Sequence, residues 1–243
     1  MNTQLSQKLA LALDNIESKK DIELLVAATQ QSIGVYKIGL EQFVRFGPPI
    51  IETVKTFNRR IFLDLKLHDI PNTVAKAVSS ACDLGVDFLT IHTQGGSAMM
   101  KAAMQAKENH GGSRKPKIIG VTVLTSIDTP TLNHELNVSG DVSGQVRHLA
   151  ALAVSAPIDG IVCSAADLPA LEGTLPASFE VITPGIRPAG TDAHDQKRVA
   201  TPTAAIARGA TLLVLGRAVT AADDPSAAAK AILDEIADGM APG

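Results

Sequence analysis

Residues 60–85 read RIFLDLKLHDIPNTVAKAVSSACDLG. The first part, RIFLDLKL at 60–67, is a short apolar run of strand length. The last part, TVAKAVSSACDLG at 73–85, has helical apolar spacing and a Gly at the expected C-cap. A strand followed by an amphipathic helix is half of a βαβ unit, which implies a parallel sheet. Yet this strand carries Asp64 and Lys66, and Asp69 follows at once. Side chains alternate along a strand, so Asp64 and Lys66 share one face, with Leu63, Leu65 and Leu67 on the other. The leucines then face the helices, and the charges need a polar opening.

The same unit recurs in both directions from this stretch. Toward the N-terminus lie KLALALD, ending at Asp14, and VYKIG at 35–39. Toward the C-terminus come DFLTIHT (87–93), KIIGVTVLT (117–125), DGIVCS (159–164), FEVITPGI (179–186) and ATLLVLGRAV (210–219). Ala-rich amphipathic segments such as VRHLAALAVSA (146–156) separate them. A doubly wound open sheet would show a Gly-rich turn after its first strand. Here the first run ends in LDN, without G-x-G-x-x-G. Eight such units in 243 residues fit one (β/α)₈ TIM barrel. No linker or composition break divides the chain, so a single barrel domain over 1–243 is expected, with its active site at the C-terminal strand ends. Two long polar connections, 126–145 and 188–202, are expected to be loops over that face.

Composition narrows the function. A net charge of −3 and no long basic run leave no nucleic-acid footprint. Aromatic content of 3% with no Trp argues against stacking on single strands. The start, MNTQLSQKLALALD, lacks signal-peptide length and a cleavage site, and no apolar run reaches a membrane span. Cys82 and Cys163 read as buried free thiols. The expectation is a soluble cytoplasmic protein.

The strand ends gather polar residues. These are Asp14, Lys37, Asp64 with Lys66, His92, Thr125, Arg187, and Gly216 with Arg217. In a barrel they form a cup lined by both signs of charge. A structural salt bridge would account for Asp64-x-Lys66 alone. Facing Lys37 and Asp14 across the mouth, the pair reads as a charge network. His68 is expected to be supporting, His92 a hydrogen-bonded rim residue, and Met99 and Met100 packing. His134, His148 and His194 are expected on the solvent side.

Taken together, DLKLHDIPNT (64–73), VYKIG before it, VTVLTS (121–126), TPGIRPAG (183–190) and VLGRAV (214–219) resemble the orotidine 5′-phosphate decarboxylase family, in its order and over essentially the whole chain. The resemblance implies loss of CO₂ from orotidine 5′-phosphate to give UMP, the last step of de novo pyrimidine synthesis, with neither metal nor organic cofactor. It implies that Lys66 protonates the ring carbon, beside Asp64 and Asp69. Asp64 would act by repelling the substrate carboxylate or by holding Lys66 and Lys37. Asp69 and Thr73 would come from the partner in a homodimer. Asp14, Lys37 and Thr73 match positions near the ribose, and Thr125, with Ser126, the position that reads the pyrimidine edge. Gln196 and Arg217 match phosphate contacts on a closing loop. Gly216 would let backbone N–H groups approach the phosphate, and Arg187 would bind it or position the loop. The sequence leaves two alternatives. One is a metal-dependent sugar-phosphate decarboxylase or aldolase sharing D-x-K-x-x-D. The other is a non-catalytic nucleotide-binding barrel.

Overall fold

A computed structural model describes residues 3–187 and 200–239. Eight strands close into a barrel in sequence order: β1 Leu9–Ala12, β2 Val35–Gly39, β3 Arg60–Leu67, β4 Phe88–His92, β5 Lys117–Val121, β6 Gly160–Val162, β7 Glu180–Thr183 and β8 Leu212–Leu215. Every neighbouring pair is parallel, and β8 returns to β1 through Leu9↔Leu213. The chain crosses from strand to strand through outer helices such as Lys19–Thr29, Pro71–Asp83, Gly96–Asn109 and Val142–Ser155. Their starts are encoded locally. Ser18 and Asp141 accept from the N–H groups of Asp21 and Gly144, and Pro71 occupies a first-turn position where no N–H is needed.

The apolar residues divide into two cores. Ala10, Val35, Phe62, Phe88, Ile119 and Ile182 belong to the cluster that fills the barrel, where the rings of Phe62 and Phe88 meet edge-on at 5.9 Å. The larger cluster packs the outward strand faces against the helices, with Leu11, Ile38, Leu63 and Leu89 meeting Val26, Val78 and Met100. The barrel is therefore a plugged core, and a polar layer can sit only above the plug.

The strands are shorter than the apolar runs suggest. β5 ends at Val121, so Thr125 lies in the following loop, not at a strand terminus. β8 stops at Leu215, and Arg217 opens a short helical turn, Arg217–Thr220. The 126–145 connection is not all loop: Thr131–Glu135 form a π-turn, and the next helix starts at Val142. Most of 188–202, with His194 and Gln196, lies outside the described residues. Met99 and Met100 are fully buried and both cysteines are buried free thiols. His134 and His148 are exposed.

β3 departs from simple alternation. Its pairing with β4 runs Phe62↔Phe88 and Leu63↔Leu89, then resumes only at Leu67↔Ile91. Two extra residues of β3 are thus accommodated between those points, in a bulge. Within it Lys66 has φ +51°, a left-handed conformation that side chains other than Gly rarely take. Leu65 and Leu67 are only half-buried, unlike Leu63.

Candidate active site

Above the apolar plug the inward positions become charged. Asp14 follows β1, Lys37 lies within β2, and Asp64 and Lys66 lie within β3. The Lys37 Nζ is 3.0 and 3.1 Å from the two Asp14 oxygens and 3.6 Å from Asp64 Oδ2. The Lys66 Nζ donates to Asp64 Oδ2 at 2.8 Å. Asp14, Lys37, Asp64 and Lys66 thus form one row of alternating charge. Gly39 leaves room for it, because a Cβ there would stand 2.8 Å from Asp14 Oδ1 and 3.1 Å from the Lys37 Nζ. Burial alone would raise the Asp64 pKa. Lys37, Lys66 and the hydrogen bonds from Lys66 and Thr90 outweigh it and hold the carboxyl below its ordinary value.

Asp14, Lys37, Asp64, Lys66, Thr125 and Gly216 line one cavity of about 290 Å³. Arg217 lines a neighbouring cavity of about 580 Å³ that shares Asp14 and Gly216 with the first. Arg187 is half-buried after β7, its N–H bonded to the Ala200 carbonyl. A larger hollow of about 740 Å³ opens elsewhere, lined by Lys8, Arg60, Phe88 and Glu180. Two of its charged groups are already engaged: Glu180 takes Lys117 and Thr211, and Arg60 takes the Gln7 carbonyl and the Phe88 ring face. Among the described residues, the cavity holding the charge row brings Asp14, Lys37, Asp64 and Lys66 together.

Two expected members stand apart. Asp69 is exposed, accepts from the Ile70 N–H at 2.6 Å, and makes no ion pair among the described residues. Thr73 is exposed on the first turn of the helix Pro71–Asp83. Within one chain, the alternation therefore runs through Asp14 and stops at Lys66.

His92 departs from the hydrogen-bonded rim residue expected of it. It sits at the rim, with its ring 5.3 Å from that of His68, but its Nδ1 is buried without a hydrogen-bond partner among the described residues. Burial first, then the nearby His68 and Lys66, lower its pKa.

Two contributors escaped the sequence reading. Cys163 lines the cavity as a neutral wall, since burial, with Asp167 beside it, pushes its thiol up to about 12. Thr90, fully buried in β4, accepts from the Lys66 N–H at 2.8 Å and donates to Asp64 Oδ1 at 2.9 Å. Its one sequence signal is that it shares a face with Phe88 and His92 in an otherwise apolar strand.

A closed (β/α)₈ barrel with a charged cup above its plug has the layout of a barrel enzyme that handles a charged small molecule. The sequence profile of the orotidine 5′-phosphate decarboxylase / HUMPS family matches residues 7–232. The chain is 44% identical over 232 residues to the orotidine 5′-phosphate decarboxylase of Moorella thermoacetica, covering 94% of this chain and 92% of that one. It is 49% identical over 202 residues to that of Nitrosococcus oceani, covering 83% and 86%. The crystal structure of the Lactobacillus acidophilus enzyme superimposes with a TM-score of 0.82 at 33% identity, covering 95% of this chain and 99% of that one. The chain belongs to the orotidine 5′-phosphate decarboxylase / HUMPS family.

Proposed function

We propose that this protein decarboxylates orotidine 5′-phosphate to UMP and CO₂, the last step of de novo pyrimidine synthesis, within the cavity that holds the charge row. The observation that carries the reading is the fixed series Asp14–Lys37–Asp64–Lys66, anchored by contacts of 2.8 to 3.6 Å. Breaking the bond from the ring carbon to the carboxylate leaves an electron pair in an in-plane orbital, without a carbonyl to absorb it. The Lys66 ammonium stands beside that orbital and stabilises the charge. Its proton then forms the new C–H bond, and the amine recovers a proton from solvent. Asp64 holds Lys66 and Lys37 in place: its Oδ2 faces both ammonium groups and its Oδ1 is tied down by Thr90. Positioning is the role these contacts favour, and the same carboxylate repels that of the substrate.

A preorganised donor contributes roughly 3–4 kcal/mol. A very slow uncatalysed reaction needs about 20 kcal/mol of barrier lowering, so Lys66 alone is insufficient. Remote binding energy supplies more. Gly216 and Arg217 take the phosphate after β8, together with Gln196 and Arg187 from the segment after β7. Asp14 and Lys37 face the ribose, and Thr125 reads the pyrimidine edge. Asp69 and Thr73 complete the site of a second copy of the chain in a homodimer. Their exposed positions in a single chain support that assignment. The reaction needs no metal or organic cofactor, and two buried free thiols fit a cytoplasmic setting.

The test is absorbance of orotidine 5′-phosphate mixed with the protein, with and without EDTA, alongside the Lys66→Ala variant. The orotate chromophore is expected to disappear at equal rates in both wild-type samples. Lys66→Ala is expected to lose turnover while UMP affinity changes only a few-fold. Activity lost with EDTA would point to metal-dependent chemistry in this family, and UMP binding without turnover would mean a silent binding barrel.

A further inference from the structure

Lys66 presents a conformational problem. Its backbone lies in the left-handed region, inside the stretch where β3 loses register with β4. A bulged residue leaves its N–H without a ladder partner, and a buried orphan N–H is unfavourable. The hydroxyl of Thr90 takes that place. Phe88, Thr90 and His92 occupy alternate positions of β4 on the face turned toward the barrel interior. Thr90 therefore stands directly above the Phe62–Phe88 plug. Its one oxygen accepts from the Lys66 N–H at 2.8 Å and donates to Asp64 Oδ1 at 2.9 Å. The direction of both bonds is forced: an amide only donates, and an ionised carboxylate only accepts. That carboxylate uses its other oxygen for the Lys66 ammonium at 2.8 Å. A closed circuit results: Lys66 backbone, Thr90 hydroxyl, Asp64 carboxylate, Lys66 ammonium.

We propose that Thr90 is a positioning residue, fixing both ends of the bulged Lys66 so that its ammonium points at the reacting carbon. The inference rests on the decarboxylase reading of Lys66 and Asp64. Thr90 itself is absent from the cavity wall, so it acts through those two side chains. The alternatives differ in what they keep. Valine has the shape but neither bond. Asparagine offers both functions but is longer. Serine keeps the oxygen and loses only a methyl group.

The experiment compares Thr90→Val, Thr90→Ser and Lys66→Ala with wild type, measuring kcat, KM and UMP affinity on protein whose fold is checked by circular dichroism. Misplacing a reacting group by about 1 Å costs on the order of 10²-fold in rate. Thr90→Val is accordingly expected to lose about that factor in kcat, with UMP affinity held within a few-fold. Thr90→Ser is expected to recover most of the lost rate. Wild-type kcat in Thr90→Val would overturn the proposal. So would a parallel loss of turnover and UMP affinity with no recovery in Thr90→Ser, the pattern of a purely structural role. If Thr90→Val does not fold, Thr90→Ala replaces it under the same criteria. Full turnover by Lys66→Ala would instead show that the reading of the site itself is wrong, and the role of Thr90 would fall with it.

Discussion

Asp64 and His92 show how single residues divide the response to pH. Asp64 is held below the ordinary carboxylate value of about 4, because Lys37 and Lys66 outweigh the effect of its burial. Its contribution to stability is complete above the unfolded value and is lost only as pH falls further, through the lower folded one. His92 acts in a different window. Burial and the positive charge near it depress its pKa, so the folded chain resists a proton that the unfolded chain accepts below about 6.5. Stability should decline as pH falls from about 6.5 toward the lower folded value, a range in which Asp64 is ionised in both states. His92→Gln is expected to flatten that decline. Melting temperatures between pH 8 and 5 would check it: curves that converge with wild type at high pH and separate on acidification are expected. Curves that stay parallel would mean His92 is as free to protonate when folded as when unfolded.

At the scale of the element, β3 is where sequence and structure part. Its limits, 60–67, are plain from the apolar run, as are the inward placement of Asp64 and the helix after Pro71. The row Asp14–Lys37–Asp64–Lys66 was also within reach, since each residue sits at or near the end of an apolar run. The bulge was not. Alternation predicts an even strand, and a left-handed lysine has no sequence signature. Thr90 was hidden for the same reason, because its role depends on the register shift between Leu63 and Leu67. The bulge has a measurable cost. Placing a residue other than Gly in the left-handed region disfavours the fold by about 1–2 kcal/mol. Lys66→Ala and Lys66→Gly remove the same ammonium, but only glycine accepts φ +51° without strain. Lys66→Gly should therefore be about 1 kcal/mol more stable than Lys66→Ala by urea unfolding, against the usual order within strands. Equal stabilities would show that the bulge relaxes once the lysine is gone.

The barrel as a whole explains why part of the D-x-K-x-x-D series is missing from the cavity. Asp64 and Lys66 ride on the strand, whereas Asp69 and Thr73 come after it, on the turn and first helical residues that face outward. Ile70 beside them is 66% exposed, and Leu40 and Val44, on the helix that follows the adjacent strand β2, are 52% and 80% exposed. Apolar side chains so open fit the proposed surface buried by a second copy. If Asp69 serves the other copy's Lys66, the two lesions Asp64→Asn and Asp69→Asn fall in different sites when they lie on different chains. Each variant alone should be nearly inactive. A hybrid dimer would hold one site with both lesions and one with none. Equal mixing with free exchange makes half of the dimers hybrid, so about a quarter of wild-type activity should return under two-fold symmetry. Recovery should rise with the rate of subunit exchange and be absent when each variant is assayed alone. Exchange proven by mass-tagged chains, with no activity regained, would place Asp69 in its own chain's site.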